Sequence, residues 1–124
     1  MITDSQVERW LREDVGHHDV THDVAGEPTG RHVATGSGTV AGLAAAAAVF
    51  SYLGVAVDCP ATDGDAVDPG ETVLRVSGSA RAVLRGERVA VNVVGHASGI
   101  ATRTRAAVDA AREVSADVRV AGTR

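Results

Sequence analysis

Lysine is missing from this chain altogether, and aromatic side chains nearly so: Trp10, Phe50 and Tyr52 are the only ones in 124 residues. All positive charge outside histidine is therefore arginine, twelve residues against ten Asp and six Glu, for a net charge of −4. No basic cluster emerges from that pattern, which argues against a nucleic-acid or membrane-surface role. Acidic, lysine-poor surfaces stay hydrated when salt screens their repulsion, so the composition suits a high-salt organism with a GC-rich genome. The scarcity of aromatics leaves Ala, Val and Leu to build the core, with little bulk per residue. Cys59 is alone, which excludes an internal disulfide and fits a reduced, cytoplasmic protein. The Ala-rich run from Leu43 to Leu53 is too short to span a bilayer. The first ten residues carry acidic side chains and no apolar h-region, so they do not read as a signal peptide.

What is present suffices for one ordinary domain, since 44% of residues are apolar. Val7, Trp10 and Leu11 recur at helical spacing and predict a capped helix over 3–12, with Thr3, Asp4 or Ser5 at its start. A polar loop with Pro28 and Gly30 follows. Residues 31–40 alternate loosely as a strand, Ala41-Gly42 opens a helix through Leu53, and 55–58 is a short strand. Asp63-Gly64-Asp65 and Pro69-Gly70 are turn signals framing a strand at 72–77. That unit looks like the hammerhead or barrel-sandwich turn of lipoyl and biotinyl carriers, but those need a modifiable lysine. Ser79 to Leu84 reads as a short helix and 117–121 as a final buried strand. The expected fold class is α+β, a small mainly antiparallel sheet with helices packed on one face.

The densest chemistry lies at 87–102. As a helix, this stretch places Arg88, Asn92 and His96 at i, i+4 and i+8, a polar stripe beside Val89, Val93 and Ala97. An arginine aligned with an amide and an imidazole, among residues this small, suits a face that receives an anion. The plain alternative is an amphipathic helix whose Arg88 sits in solvent or pairs with Glu87 or Asp109. Gly95 and Gly99 predict a break there, with Ser98 as N-cap of a second helix ending near Glu113.

Other constellations are weaker. His17, His18 and His22 with Asp19 and Asp23 could be a metal cluster, yet no helix aligns them and no ligands match elsewhere; a solvated acidic loop explains them better. Gly36-Ser37-Gly38 lacks the lysine and helix of a phosphate loop and fits a bulged or glycine-tolerant strand. Asp63 and Asp65 are first of all turn formers.

Arg88-x-x-x-Asn92 leading into Ser98-Gly99-Ile100-Ala101-Thr102, with a terminal Thr123-Arg124 after the last strand, resembles the signature of the quinolinate phosphoribosyltransferases, the carboxylating nicotinate-nucleotide pyrophosphorylases. Leu11-Arg-Glu13-Asp14-Val-Gly16-His-His18-Asp19-Val-Thr21 resembles that family's N-terminal Leu-x-Glu-Asp-x-Gly-x-Gly-Asp-x-Thr, with His18 in place of the second Gly. The resemblance runs from Leu11 to Arg124. It implies a hammerhead-like N-terminal α+β domain over 1–102, then the connecting helix and first strand of an incomplete α/β barrel over 103–124. The implied reaction joins quinolinate to phosphoribosyl pyrophosphate, giving nicotinate mononucleotide, pyrophosphate and CO2, with magnesium (Mg2+) accompanying the co-substrate and no metal ligand in this chain. The substrate-binding residues it implies are Arg88, Thr123 and Arg124, in a pocket shared between subunits of a homodimer or higher oligomer; no catalytic residue is assigned. A barrel needs about 200 residues or more, so the chain by itself is expected to show no turnover. A same-fold transferase of the molybdenum-transport-associated type and a non-catalytic oligomerisation domain are the alternatives.

Overall fold

A computed structural model describes residues 2–15 and 29–122. Three helices and five strands follow in the order α1 (Asp4–Val15), β1 (Thr29–Val33), β2 (Gly38–Thr39), α2 (Leu43–Tyr52), β3 (Ala56–Asp58), β4 (Ala66–Val67), β5 (Thr72–Ser77) and α3 (Ala80–Val114). The fold is α+β, as the strand and helix signals predict. β5 is the centre of an antiparallel sheet of order β1-β5-β3, with Gly30 opposite Val76 and Val57 opposite Val76 from the other side. Alternation along β5 turns Leu74 and Val76 into the core while Arg75 and Ser77 stay exposed. The region expected as one strand over 31–40 is interrupted. A register shift between His32 and Val33 precedes the last pair of the first ladder, Val33 with Thr72; 35–37 then bend, and Gly38–Thr39 pairs instead with Ala66–Val67.

α1 begins with a reciprocal cap. The Gln6 N–H donates to Thr3 Oγ1 at 3.2 Å and the Thr3 N–H donates to Gln6 Oε1 at 2.8 Å, satisfying two otherwise orphaned donors. Its Val7 and Leu11, each 1% exposed, then pack with Val49 of α2 and Val89 of α3. α2 is apolar on most faces because it lies between α1, α3 and the sheet. Phe50 fills the centre, and α3 meets it with bare backbone: a Cβ on Gly86 would come within 2.9 Å of the Phe50 ring. In a core this poor in aromatics, one ring against one glycine sets the approach of the two helices.

α2 lacks a side-chain cap of its own. Its N-cap residue, Gly42, is in the left-handed region at φ 84°, where a Cβ would also come within 3.1 Å of the Val93 carbonyl oxygen. Asp63, twenty residues away, supplies the missing acceptor: its Oδ1 takes the Leu43 N–H at 2.7 Å and its Oδ2 the Ala44 N–H at 3.4 Å. Asp65 in turn accepts the Thr62 N–H at 2.8 Å. The turn expected at Asp63-Gly64-Asp65 is present, and its carboxylates hold α2 and the turn itself.

Candidate functional site on the long helix

α3 is a single helix of 35 residues, and the break expected at Gly95 and Gly99 does not occur. Ser79 caps its start by accepting the Ala82 N–H at 3.2 Å, so the short helix expected over Ser79–Leu84 is its first turns. Each interior glycine costs about 1 kcal/mol relative to Ala. The cost is borne because the flanking turns are held by tertiary contacts. Val94 packs against the core cluster that includes Ala90, Val93 against the one that includes Val89, and Ala97 lies beside Gly42.

Ser98 is therefore not an N-cap. Its hydroxyl accepts the Ala41 N–H at 2.9 Å and donates to the Ala41 carbonyl at 3.2 Å. One turn later Thr102 Oγ1 accepts the Thr39 N–H at 3.0 Å and donates to the Thr39 carbonyl at 3.4 Å. Residues i and i+4 of a helix thus pair with residues j and j+2 of an extended segment. Two hydroxyls stand where a neighbouring strand would otherwise complete the ladder of β2. Gly38 permits the approach, because a Cβ there would fall 2.6 Å from Thr102 Oγ1. The Ser-Gly-Ile-Ala-Thr motif clasps α3 to the sheet, a role that reading it as a helix start missed. The available signal was the i, i+4 spacing of the two hydroxyls.

Arg88, Asn92 and His96 lie along one exposed side of α3, as their spacing predicts. Beside that stripe runs a groove of about 530 Å³ between α3 and residues 31–40. Glu87, Val91 and Gly95 line it from the helix and His32 from β1; Arg88 does not. Gly95 and Gly99 face open space, with nothing within 4 Å of a Cβ at either, so they widen the groove rather than admit a close neighbour. His32 packs edge-on to Phe50, ring centres 6.0 Å apart, and burial lowers its pKa below the usual 6.5 while the Glu87 carboxylate opposes that shift. Arg88, Asn92 and His96 thus lie outside the groove, while Arg31, His32 and Glu87 line it.

Thr123 and Arg124 lie outside the described residues, as does the histidine-rich segment at 17–23. The strand expected at 117–121 is not formed. After the α3 cap at Ser115, residues 116–117 turn and 118–122 make no ladder with any described residue, because an isolated extended segment has no partner for its N–H and C=O groups. Beyond Thr102, α3 runs on with mostly exposed side chains, braced by Arg105 on Asp109 at 2.6 Å.

Residues 19–98 match the family described as quinolinate phosphoribosyl transferase, N-terminal domain. The chain belongs to this family. It is 37% identical over 115 residues to a probable carboxylating nicotinate-nucleotide pyrophosphorylase of Synechocystis, covering 89% of this chain and 39% of the relative. To the human carboxylating nicotinate-nucleotide pyrophosphorylase it is 37% identical over 120 residues, covering 95% of this chain and 40% of that protein. The crystal structure of NadC from Streptococcus pyogenes superposes with a TM-score of 0.79 at 36% identity, over 89% of this chain and 43% of that one. The chain thus spans about two fifths of the length of these family members. No helix among its described residues is long and apolar enough to cross a membrane.

Proposed function

We propose that this chain forms the N-terminal portion of a quinolinate phosphoribosyltransferase and that Arg88 is its contribution to the substrate site. The observation that carries the reading is the exposed Arg88–Asn92–His96 stripe on a helix clasped to the sheet, in a chain of this family. A guanidinium offers a planar fork to a carboxylate, and quinolinate has two. Its co-substrate brings several phosphates, so donors that neutralise pyrophosphate as it leaves are also required. Thr123 and Arg124 are proposed to join Arg88 on the substrate, from 103–124 as the start of a barrel, while 1–102 forms the layered domain. α3 is continuous across that boundary, so it would act as a stiff connection. A homodimer in which Arg88 reaches the neighbouring subunit's substrate completes the proposal.

Magnesium would enter with the phosphoribosyl pyrophosphate. The described residues contain no cluster of three His, Cys, Asp or Glu side chains to hold it. Both carboxylating pyrophosphorylases and a putative pyrophosphorylase ModD of Rhodobacter capsulatus, 37% identical over the whole of this chain and 49% of that protein, are similar to it. The transfer of a phosphoribosyl group is the common element, and quinolinate is the acceptor favoured here by the number of matching carboxylating relatives.

The test exchanges this chain for the matching portion of the human relative. The chimera is expected to release nicotinate mononucleotide, and Arg88→Met to reduce kcat/KM for quinolinate by roughly 100-fold, in line with losing a charge-assisted contact. The 124-residue chain alone is expected to give no turnover. Full-rate turnover by that chain, or a chimera indifferent to Arg88→Met, refutes the proposal.

A further inference from the structure

α1, the end of α2 and α3 leave a cleft of about 250 Å³ lined by Glu8, Leu11, Arg12, Tyr52 and Arg85, none of which lines the groove beside Arg88. Arg85 is half-buried, and its Nε is wholly covered with no hydrogen-bond partner among the described residues. An unpartnered N–H on a charged group is among the costliest orphans a fold can carry, and such a group calls for a ligand, an ion or a rearrangement. Among the described residues Arg12 is held only by Glu8, at 3.1 Å, in a pair whose side chains are 76% and 53% exposed. A contact so solvated contributes little and exchanges readily. Tyr52 adds a phenolic donor at the rim, 41% exposed, and Leu11 closes the floor.

We propose that this cleft binds a small phosphate-class oxyanion, held by Arg85 with Arg12 and Tyr52. Among the described residues the lining holds two guanidiniums and one carboxylate, a net positive balance in a chain whose net charge is −4. Turning Arg85 about its last torsions brings its Nε–H and one Nη–H together onto the cleft, the side-on fork that grips two oxygens of one anion. Arg12 then exchanges Glu8 for the same anion, and the Tyr52 O–H donates to a third oxygen. A neutral water relieves Nε alone. An anion engages all three groups, and that difference is measurable. Arg85 lies three residues before Arg88 on α3, and Arg88 does not line the cleft.

The probe is inorganic phosphate, added to the 15N-labelled 124-residue chain at constant ionic strength against chloride, with the arginine Nε–Hε signals as readout. The expected result is a saturable shift of the Arg85 signal accompanied by Arg12, absent in chloride. Arg85→Met abolishes it, Tyr52→Phe weakens the midpoint several-fold, and Arg31→Met leaves it unchanged, with the amide spectrum verifying the fold of each. Should Arg85→Met fail to fold, Arg85→Lys replaces it and is expected to weaken binding at least tenfold, since an ammonium cannot make the side-on fork. An equal response to chloride, no saturable response at Arg85, persistence in Arg85→Met, or an Arg85→Lys variant that binds like the parent overturns the inference. A response confined to Arg88 also overturns it while leaving the quinolinate reading intact, because the chimera assay reads that separately.

Discussion

Replacing Thr102 by Ala tests the clasp between α3 and the sheet, and the outcome can be worked from four atoms. The substitution removes one oxygen that accepts the Thr39 N–H at 3.0 Å and donates to the Thr39 carbonyl at 3.4 Å. Both backbone groups sit in a half-buried position, so their loss of a partner costs about 1–3 kcal/mol. The deleted methyl adds under about 1 kcal/mol, because Thr102 is only half-buried. For a domain of this size the midpoint of thermal unfolding falls by roughly 3–6 °C per kcal/mol. Thr102→Ser keeps the hydroxyl and is expected to recover most of the loss. Gly38→Ala attacks the same bond from the other side, since its Cβ would lie 2.6 Å from Thr102 Oγ1 and must displace it. That single change is expected to cost about 1–3 kcal/mol from crowding. In the Thr102→Ala background the crowding is gone, so the double variant should be more stable than the sum of the two singles predicts, by about 0.5–3 kcal/mol. Urea unfolding of the four proteins gives the coupling, and hydrogen exchange at the Thr39 amide reports the bond itself. Strictly additive losses together with unchanged Thr39 protection refute the clasp.

Three other expectations concern different parts of the chain. Asp63→Ala should cost about 1 kcal/mol by uncapping α2, with Asp63→Asn retaining much of it, as measured by denaturant midpoint. His32 has a folded pKa below its unfolded value, so its stabilising contribution is complete above about pH 6.5 and declines as pH falls through that value toward the folded pKa. The stability lost between pH 7.5 and 5.5 should accordingly shrink in His32→Gln, and an identical pH slope in both proteins counts against the assignment. Burial first, then the Asp58 and Asp63 carboxylates, push the Cys59 thiol above its usual range, so alkylation should be slower than for a free thiol at pH 8 and accelerate only in more alkaline solution.

Local rules made much of this architecture legible in advance. The cap at the start of α1, the β5 strand over Thr72–Ser77 and the Pro69-Gly70 turn before it are decisions taken within a few residues. Their physics is capping, pleat and φ: the sequence narrows the helix start to Thr3, Asp4 or Ser5 and it falls to Thr3 with Gln6 closing the box, while the strand at 72–77 and its preceding turn stand where expected. The i, i+4, i+8 spacing of Arg88, Asn92 and His96 likewise sufficed to put them on one face, because helical geometry repeats without reference to the rest of the fold. The family signature at 87–102 was legible too, as a pattern of residue types.

Local propensity misled where distant residues decided the outcome. Gly95 and Gly99 disfavour a helix on their own, but packing of Val94 and Ala97 and the two hydroxyl clasps fix the turns around them, so α3 continues. The strand expected at 117–121 shows the converse: apolar alternation cannot form a ladder without a neighbour. Short-range pattern determined the α+β class and placed Arg88, Asn92 and His96 on one helix face, and the motif at 87–102 carried the family resemblance. Only the tertiary structure decided that Ser98 and Thr102 act as a surrogate strand, that Asp63 caps a helix twenty residues away, and that Arg85 Nε has no partner among the described residues. Each of these depends on which backbone groups remain unsatisfied once the layers have packed, and that is settled by contacts remote in the chain.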